Sequence, residues 1–78
     1  MNAQFTFRKT MYKNGEIAYT ALAVTTYKTK ELAIECARKA LNWVAGQYEN
    51  ADVAETTDGA LMYAENADER ILLYYELA

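Results

Sequence analysis

Residues 5–24 have the sequence FTFRKTMYKNGEIAYTALAV, and the pair Asn14 and Gly15 at its centre decides the fold. Asn followed by Gly readily adopts the positive φ values of a type I′ turn, which joins two antiparallel strands. A two-residue loop at this position fixes the register of both strands. On the expected core side, that register pairs Phe5 with Val24, Phe7 with Leu22, and Met11 with Ala18.

The opposite side of this hairpin is expected to carry aromatic side chains. The same register pairs Tyr12 with Ile17 and Thr10 with Tyr19 there, and Tyr27 falls on that side as well. Tyrosine is enriched at interface hot spots because its ring offers a large rigid contact area with a polar tip. We therefore expect Tyr12 and Tyr19 to contribute to a partner-binding surface. The alternative is that these rings only cover the sheet.

Hydrophobic periodicity changes to that of a helix from about residue 29 to residue 48. Thr29 is the expected N-cap, Glu31 adds negative charge to the first turn, and either Gly46 or Asn50 ends the helix. The polar stripe consists of Glu35, Arg38, Lys39 and Asn42. The apolar face is expected to hold Leu32, Ala33, Cys36, Ala37, Ala40, Trp43, Val44 and Tyr48, with Ile34 and Leu41 at its far edge.

Three further strands are expected at residues 51–57, 60–65 and 70–77. Asp58 and Gly59 give a second hairpin signal between the first two. Residues 70–77 are apolar on both faces, as in a central strand.

The sequence thus predicts a single α+β domain, residues 1–78, with the order ββαβββ. One amphipathic helix packs on a four- to five-stranded, mainly antiparallel sheet. The expected core consists of Phe5, Phe7, Leu22, Val24, Leu32, Trp43, Val44 and Ile71.

Missing residue types argue against most site chemistries. The chain has no His and no Pro, it also lacks Ser, and it contains one Cys and three well-separated Gly. Catalytic triads, zinc sites and phosphate-binding loops need these residues, so we expect neither an enzyme nor a cofactor or metal. No apolar run approaches the length of a membrane span, and the lone Cys36 fits a reducing compartment, which predicts a cytoplasmic protein without a membrane partner.

Charge is distributed unevenly along the chain. Residues 1–48 carry seven bases and three acids, whereas residues 49–78 carry eight acids and one base, Arg70. This asymmetry predicts an acidic surface that binds a protein with a basic surface, although the charges also serve solubility. The candidate contacts are Asp52, Glu55, Asp58, Glu65, Asp68 and Glu69.

Direct nucleic-acid binding is a weaker interpretation. Arg8, Lys9 and Lys13 lie near Tyr12 on the first hairpin, as basic and aromatic residues do in nucleic-acid interfaces. The net charge of −3 and the pI of about 4.8 argue against it.

The acidic series from Glu49 to Glu76, together with Tyr63, Tyr74 and Tyr75, gives this layout a resemblance to small phage-encoded anti-defence proteins, anti-CRISPR proteins among them. That resemblance implies a non-catalytic inhibitor, acting in the host cytoplasm, that occludes the basic nucleic-acid-binding surface of a bacterial defence effector. The basic first half favours a localised acidic patch. The alternative is a homo-oligomeric structural or accessory domain that pairs through its Tyr-rich sheet face.

Overall fold

A computed structural model describes residues 2–78 of the chain. In these residues it has one α-helix and five β-strands, which are β1 (Ala3–Lys13), β2 (Glu16–Tyr27), α1 (Lys30–Ala45), β3 (Ala51–Thr56), β4 (Gly59–Glu65) and β5 (Arg70–Leu77). The strands form one antiparallel sheet in the order β2-β1-β5-β4-β3. The predicted α+β class and the ββαβββ order are confirmed, and β5 is the central strand.

The β1–β2 turn forms where the sequence predicts it. Asn14 has a φ of 53° and Gly15 a φ of 86°, the left-handed conformation that a type I′ turn requires. Asn14 also fixes the turn to the start of β5, because its N–H donates to the Arg70 carbonyl and its Oδ1 accepts from the Arg70 N–H, both at 2.8 Å.

A β-bulge changes the register a few residues beyond this turn. Tyr12 pairs with Ile17 as predicted, but Met11 then pairs with Tyr19, which leaves Ala18 as the extra residue. One extra residue moves every later side chain of the strand to the other face. The predicted pairs of Phe7 with Leu22, and of Phe5 with Val24, are therefore wrong.

Leu22 and Val24 lie on the sheet face away from α1, with 63% and 62% of their surface exposed. On the side of α1, β2 presents Ala21, Ala23 and Thr25, whose partners in β1 are Lys9, Phe7 and Phe5. Leu22 and Val24 are thus removed from the predicted core.

Helix α1 has the predicted ends but a different orientation about its axis. The Thr29 Oγ1 accepts from the Leu32 N–H at 3.1 Å, and Gly46 ends the helix. The buried residues are Ala33, Ile34, Ala37 and Leu41. Leu32 and Trp43, predicted in the core, are 41% and 71% exposed. Small Ala33 and Ala37 let the helix approach the sheet around Phe7, and Leu41 extends toward the centre of the sheet.

The core consists of two clusters beneath α1. Phe7 packs with Ala33, Ile34 and Ala37, while Leu41 packs on β4 and β5. The second cluster contains Ala60, Met62, Ala64, Ile71 and Leu73. Of the other predicted core residues, Phe5 and Val44 are partly buried against these clusters, and Ile71 is buried.

Arg38, predicted in the polar stripe, joins α1 to the β3–β4 hairpin. Its Nε donates to the Gly59 carbonyl at 2.8 Å and an Nη donates to the Thr56 carbonyl at 2.6 Å. The turn itself consists of Thr57 and Asp58, so the hairpin is confirmed but Gly59 is the first residue of β4.

Candidate protein-binding surface

Helix α1 covers one face of the sheet, and the other face is uncovered. Side chains alternate along a strand, so the neighbours of the buried residues Phe7, Met62 and Leu73 lie on this uncovered face, hereafter the open face. Its apolar and aromatic members are Tyr12 in β1, Ile17, Leu22 and Val24 in β2, Leu61 and Tyr63 in β4, and Leu72 and Tyr74 in β5.

Two tyrosines form the centre of the open face. Tyr12 and Tyr74 make an edge-to-face contact, with ring centroids 6.1 Å apart and an interplanar angle of 79°. Such pairs add stability beyond the burial of their area. The two rings therefore support each other and give the open face a firm aromatic ridge.

A shallow cavity lies on each side of this ridge. The first has a volume of about 360 Å³ and is lined by Tyr12, Gly15, Tyr63, Arg70, Ile71 and Leu72. The second has a volume of about 440 Å³ and is more polar, lined by Arg8, Thr10, Tyr12, Asp58, Tyr74, Glu76, Leu77 and Ala78. Concave apolar surface next to charged side chains is what a partner's side chains need for anchoring.

Acidic residues border the first cavity. Asp52 pairs with Tyr63, and Glu65 pairs with Arg70, so all four side chains lie on the open face. The Tyr63 hydroxyl donates to Glu65 Oε2 at 2.9 Å. This hydrogen bond to the carboxylate is the main reason that the pKa of Tyr63 is raised above its ordinary value of 10.

Replacing Glu65 with alanine is expected to lower the pKa of Tyr63 toward its ordinary value. The hydrogen bond to Glu65 favours the neutral phenol in the folded chain. Its contribution to stability is therefore present below pH 10 and is lost as the pH rises through the raised pKa of Tyr63. Ultraviolet titration of tyrosinate absorbance in the wild type, Glu65→Ala and Tyr63→Phe would measure it. Unchanged titration in Glu65→Ala would contradict the contact, and Tyr63→Phe identifies the titrating ring.

Four of the six predicted acidic contacts lie at one end of the sheet. Asp52 and Glu65 are on the open face, and Asp68 and Glu69 are in the β4–β5 turn next to them. The Asn66 Oδ1 shapes this turn by accepting from both the Asp68 and the Glu69 N–H. We refer to Asp52, Glu65, Asp68 and Glu69 as the acidic end.

Glu69 is partly neutralised within the acidic end. Lys13 Nζ lies 2.9 Å from its Oε2. The hydrogen bond from Lys13 to Glu69, with their charge attraction, raises the pKa of Lys13 above 10.5. Asp52, Glu65 and Asp68 are exposed, and they are the carboxylates best placed to meet a partner.

The other two predicted contacts, Glu55 and Asp58, lie away from the acidic end and next to bases. Glu55 is 3.8 Å from Arg38, and Asp58 is 3.4 Å from Lys30. Basic side chains of α1 therefore offset the negative charge of these two acidic residues from the second half of the chain. The expectation that all acids share one surface holds for the acidic end only.

The remaining predicted tyrosines have different positions. The bulge places Tyr19 and Tyr27 on the side of α1, so only Tyr12 of the predicted hairpin tyrosines reaches the open face. Tyr27 packs against the Phe7 cluster, where the neighbouring Cys36 side chain is the main cause of its raised pKa. Tyr75 also lies on the side of α1 and stacks on Phe7 at 5.3 Å.

Tyr74, Leu72 and Leu61 lie on the open face but are absent from the predicted contacts. The sequence feature that points to these three residues is the alternation along residues 60–65 and 70–77, because both strands place apolar residues on each face of the sheet. Tyr63 and Tyr74 enter the sequence argument only through the resemblance to anti-defence proteins.

The basic residues of the first hairpin do not form one patch. Arg8 is on the open face, whereas Lys9 and Lys13 are on the side of α1. Lys9 Nζ lies 5.2 Å from the centre of the Tyr75 ring, and Lys13 contacts Glu69. This dispersal gives no support to a nucleic-acid interface.

Residues 2–78 contain no group of three or more His, Cys, Asp or Glu side chains arranged to hold a metal ion. Over the same residues, no helix is long and apolar enough to cross a membrane. Comparison of the chain with protein-family models, with characterised proteins and with solved structures found no match.

Proposed function

We propose that this chain is a non-catalytic protein-binding domain that recognises its partner with the open face and the acidic end. The observation that carries the proposal is an uncovered aromatic ridge, Tyr12 and Tyr74, on the same sheet face as the exposed carboxylates of Asp52 and Glu65. Large apolar surface with a charged border is typical of interaction sites.

The chemistry of this surface defines the partner. Tyr63, which is 39% exposed, and Leu72 line an apolar cavity that suits an apolar or aliphatic side chain. Asp52, Glu65 and Asp68 suit Lys or Arg beside it. The partner is therefore a protein that presents an apolar anchor surrounded by basic residues.

A finer proposal identifies this partner with the basic nucleic-acid-binding groove of a defence effector, which the chain would occlude stoichiometrically. The acidic end favours it, because carboxylates at a fixed end of a sheet can occupy positions that phosphates would otherwise take. The proposed inhibitor then competes with nucleic acid for one surface of the effector.

A capture experiment with matched charge reversals tests the proposal. The variant Asp52→Lys/Glu65→Lys and the control Glu31→Lys/Glu35→Lys change the net charge equally, and the control residues are exposed on α1. Immobilised wild type, variant and control are incubated with lysate of the source cells, and bound proteins are quantified by mass spectrometry.

The expected result is a protein retained by the wild type and the control but lost from the variant by at least about tenfold, which corresponds to about 1.4 kcal/mol. Its release should increase with salt because the contacts are electrostatic. Equal capture by all three proteins would contradict the proposal. Competition of the captured protein with nucleic acid separates the inhibitor from other binding domains.

A further inference from the structure

Strand β2 has an unprotected edge beyond its bulge at Ala18. It is the outermost strand next to β1 and extends over Glu16–Tyr27. Residues 17–27 contain no charged residue and no Pro, and they are rich in β-branched and aromatic residues. Long uncharged edge strands readily pair with another strand.

The other edge strand, β3, is protected. It has six residues, of which Asp52 and Glu55 are charged and exposed. Short length and charge are common means of blocking edge pairing. The contrast indicates that pairing is prevented at β3 and permitted at β2.

The hydrogen bonds of β1 define which backbone groups of β2 are free. The Thr6 carbonyl accepts from the Ala78 N–H, on the β5 side of β1. The backbone N–H and C=O groups of an antiparallel strand point alternately to its two neighbours, so those of Arg8 and Thr10 also point to β5. Their β2 partners Leu22 and Thr20, with Val24 opposite Thr6, therefore direct N–H and C=O groups to the free edge.

Strand β2 is complementary to itself when Leu22 faces its counterpart in a second chain. Thr20 then faces Val24 of the partner chain, and each of these residues exchanges backbone hydrogen bonds across the new pair. Ala21 faces Ala23, so small side chains meet on the side of α1. The arrangement also brings the Glu16 end of each strand alongside the Lys28 end of the other, which places opposite charges together.

We propose that two copies of this chain pair antiparallel through β2, with Leu22 opposite its counterpart, and join their sheets into one continuous sheet. The pairing places Leu22 and Val24, which are more than half exposed in one chain, beside Leu22 and Thr20 of the partner chain. A two-fold interface of this kind closes on itself and does not propagate, because β3 remains blocked.

Sedimentation equilibrium over a wide concentration range tests the pairing. The full chain is expected to approach twice its mass of 8.9 kDa as concentration rises. Leu22→Pro removes an outward N–H that β1 does not use, and Val24→Lys adds charge at the interface. Each should raise the dimer dissociation constant at least about tenfold. Ala54→Lys, the same kind of change on β3, should not alter it.

Circular dichroism of each variant identifies any loss of fold, and if Leu22→Pro unfolds, Val24→Lys decides. A register test uses Leu22→Cys in a Cys36→Ala background, because opposed Cα atoms at about 5.5 Å permit a disulfide. Oxidation should give a covalent dimer, whereas Ala54→Cys in the same background should not. A monomer at every concentration, or equal dissociation constants in wild type, Leu22→Pro and Val24→Lys, would overturn the proposal.

Discussion

Replacing Phe7 with alanine is expected to destabilise the domain by about 3–5 kcal/mol. Phe7 is 1% exposed and stacks on Tyr75 beneath Ala33 and Ala37 of α1. Its removal leaves a cavity that these small residues cannot fill. Because small domains have a free energy of unfolding of about 5–15 kcal/mol, the change removes much of the stability. Urea denaturation followed by circular dichroism measures the loss.

Trp43→Ala is the matched control for Phe7→Ala. Both changes truncate an aromatic ring, and the sequence predicts both rings in the core, Phe7 from the hairpin register and Trp43 from the helical periodicity. Trp43 is 71% exposed in the structure, so its replacement should alter the free energy of unfolding by no more than about 0.5 kcal/mol. A large loss in Trp43→Ala, or a small one in Phe7→Ala, would contradict the orientation of α1 described above.

The second large effect is expected at Gly59. A Cβ atom at this position would overlap the Tyr75 carbonyl oxygen and lie 2.9 Å from the Glu76 Cα atom. These are backbone atoms of the central strand, which cannot move without breaking its pairing with β4. Gly59→Ala is therefore expected to lower the free energy of unfolding by about 3 kcal/mol, the upper end of the usual range for overpacking. The same urea measurement tests this value.

Gly46→Ala provides the comparison for Gly59→Ala. Gly46 has a helical φ of −64°, and an added Cβ would lie 3.3 Å from the Trp43 carbonyl oxygen. The contact is tight but the conformation suits alanine, so a change within about 1 kcal/mol is expected. If the two variants lost equal stability, the close approach of β4 and β5 at Gly59 would be wrong.

Local signals in the sequence predict the elements of this fold well. The Asn14–Gly15 turn, the Thr29 N-cap and the apolar run at residues 70–77 each depend on neighbouring residues, and the structure confirms each. Turn and cap chemistry is determined within a few residues, so it can be predicted without knowledge of the packing.

The register beyond the turn could not be predicted in the same way. A bulge at Ala18 leaves no strong local signature, since Ala is neither a turn residue nor a special conformer. Its effect is large because one inserted residue exchanges the two faces of β2. The bulge moves Leu22 and Val24 out of the core and Tyr19 off the predicted surface.

The predicted orientation of α1 about its axis is wrong for a related reason. Both edges of α1 carry large apolar residues, so periodicity alone does not determine which edge meets the sheet. Contacts distant in sequence determine it, including the hydrogen bonds of Arg38 to the carbonyls of Thr56 and Gly59.

The candidate site was predicted in part. Charge asymmetry along the chain identifies the acidic residues, and four of the six lie together at the acidic end. Glu55 and Asp58 lie outside the acidic end and form ion pairs with bases of α1. Such pairs depend on the tertiary structure, so the sequence alone does not predict them. The aromatic centre of the open face becomes evident only when the strand order places Tyr12 next to Tyr74.

Carboxyl footprinting tests the central claim most directly. Exposed Asp and Glu side chains are labelled with a carbodiimide and an amine, in the free chain and in its complex with the captured partner, and mass spectrometry measures labelling at each residue. The proposed surface predicts reduced labelling of Asp52, Glu65 and Asp68 in the complex, with Glu31 and Glu35 on α1 unchanged. Reduced labelling confined to Glu31 and Glu35, with the acidic end labelled as in the free chain, would contradict it.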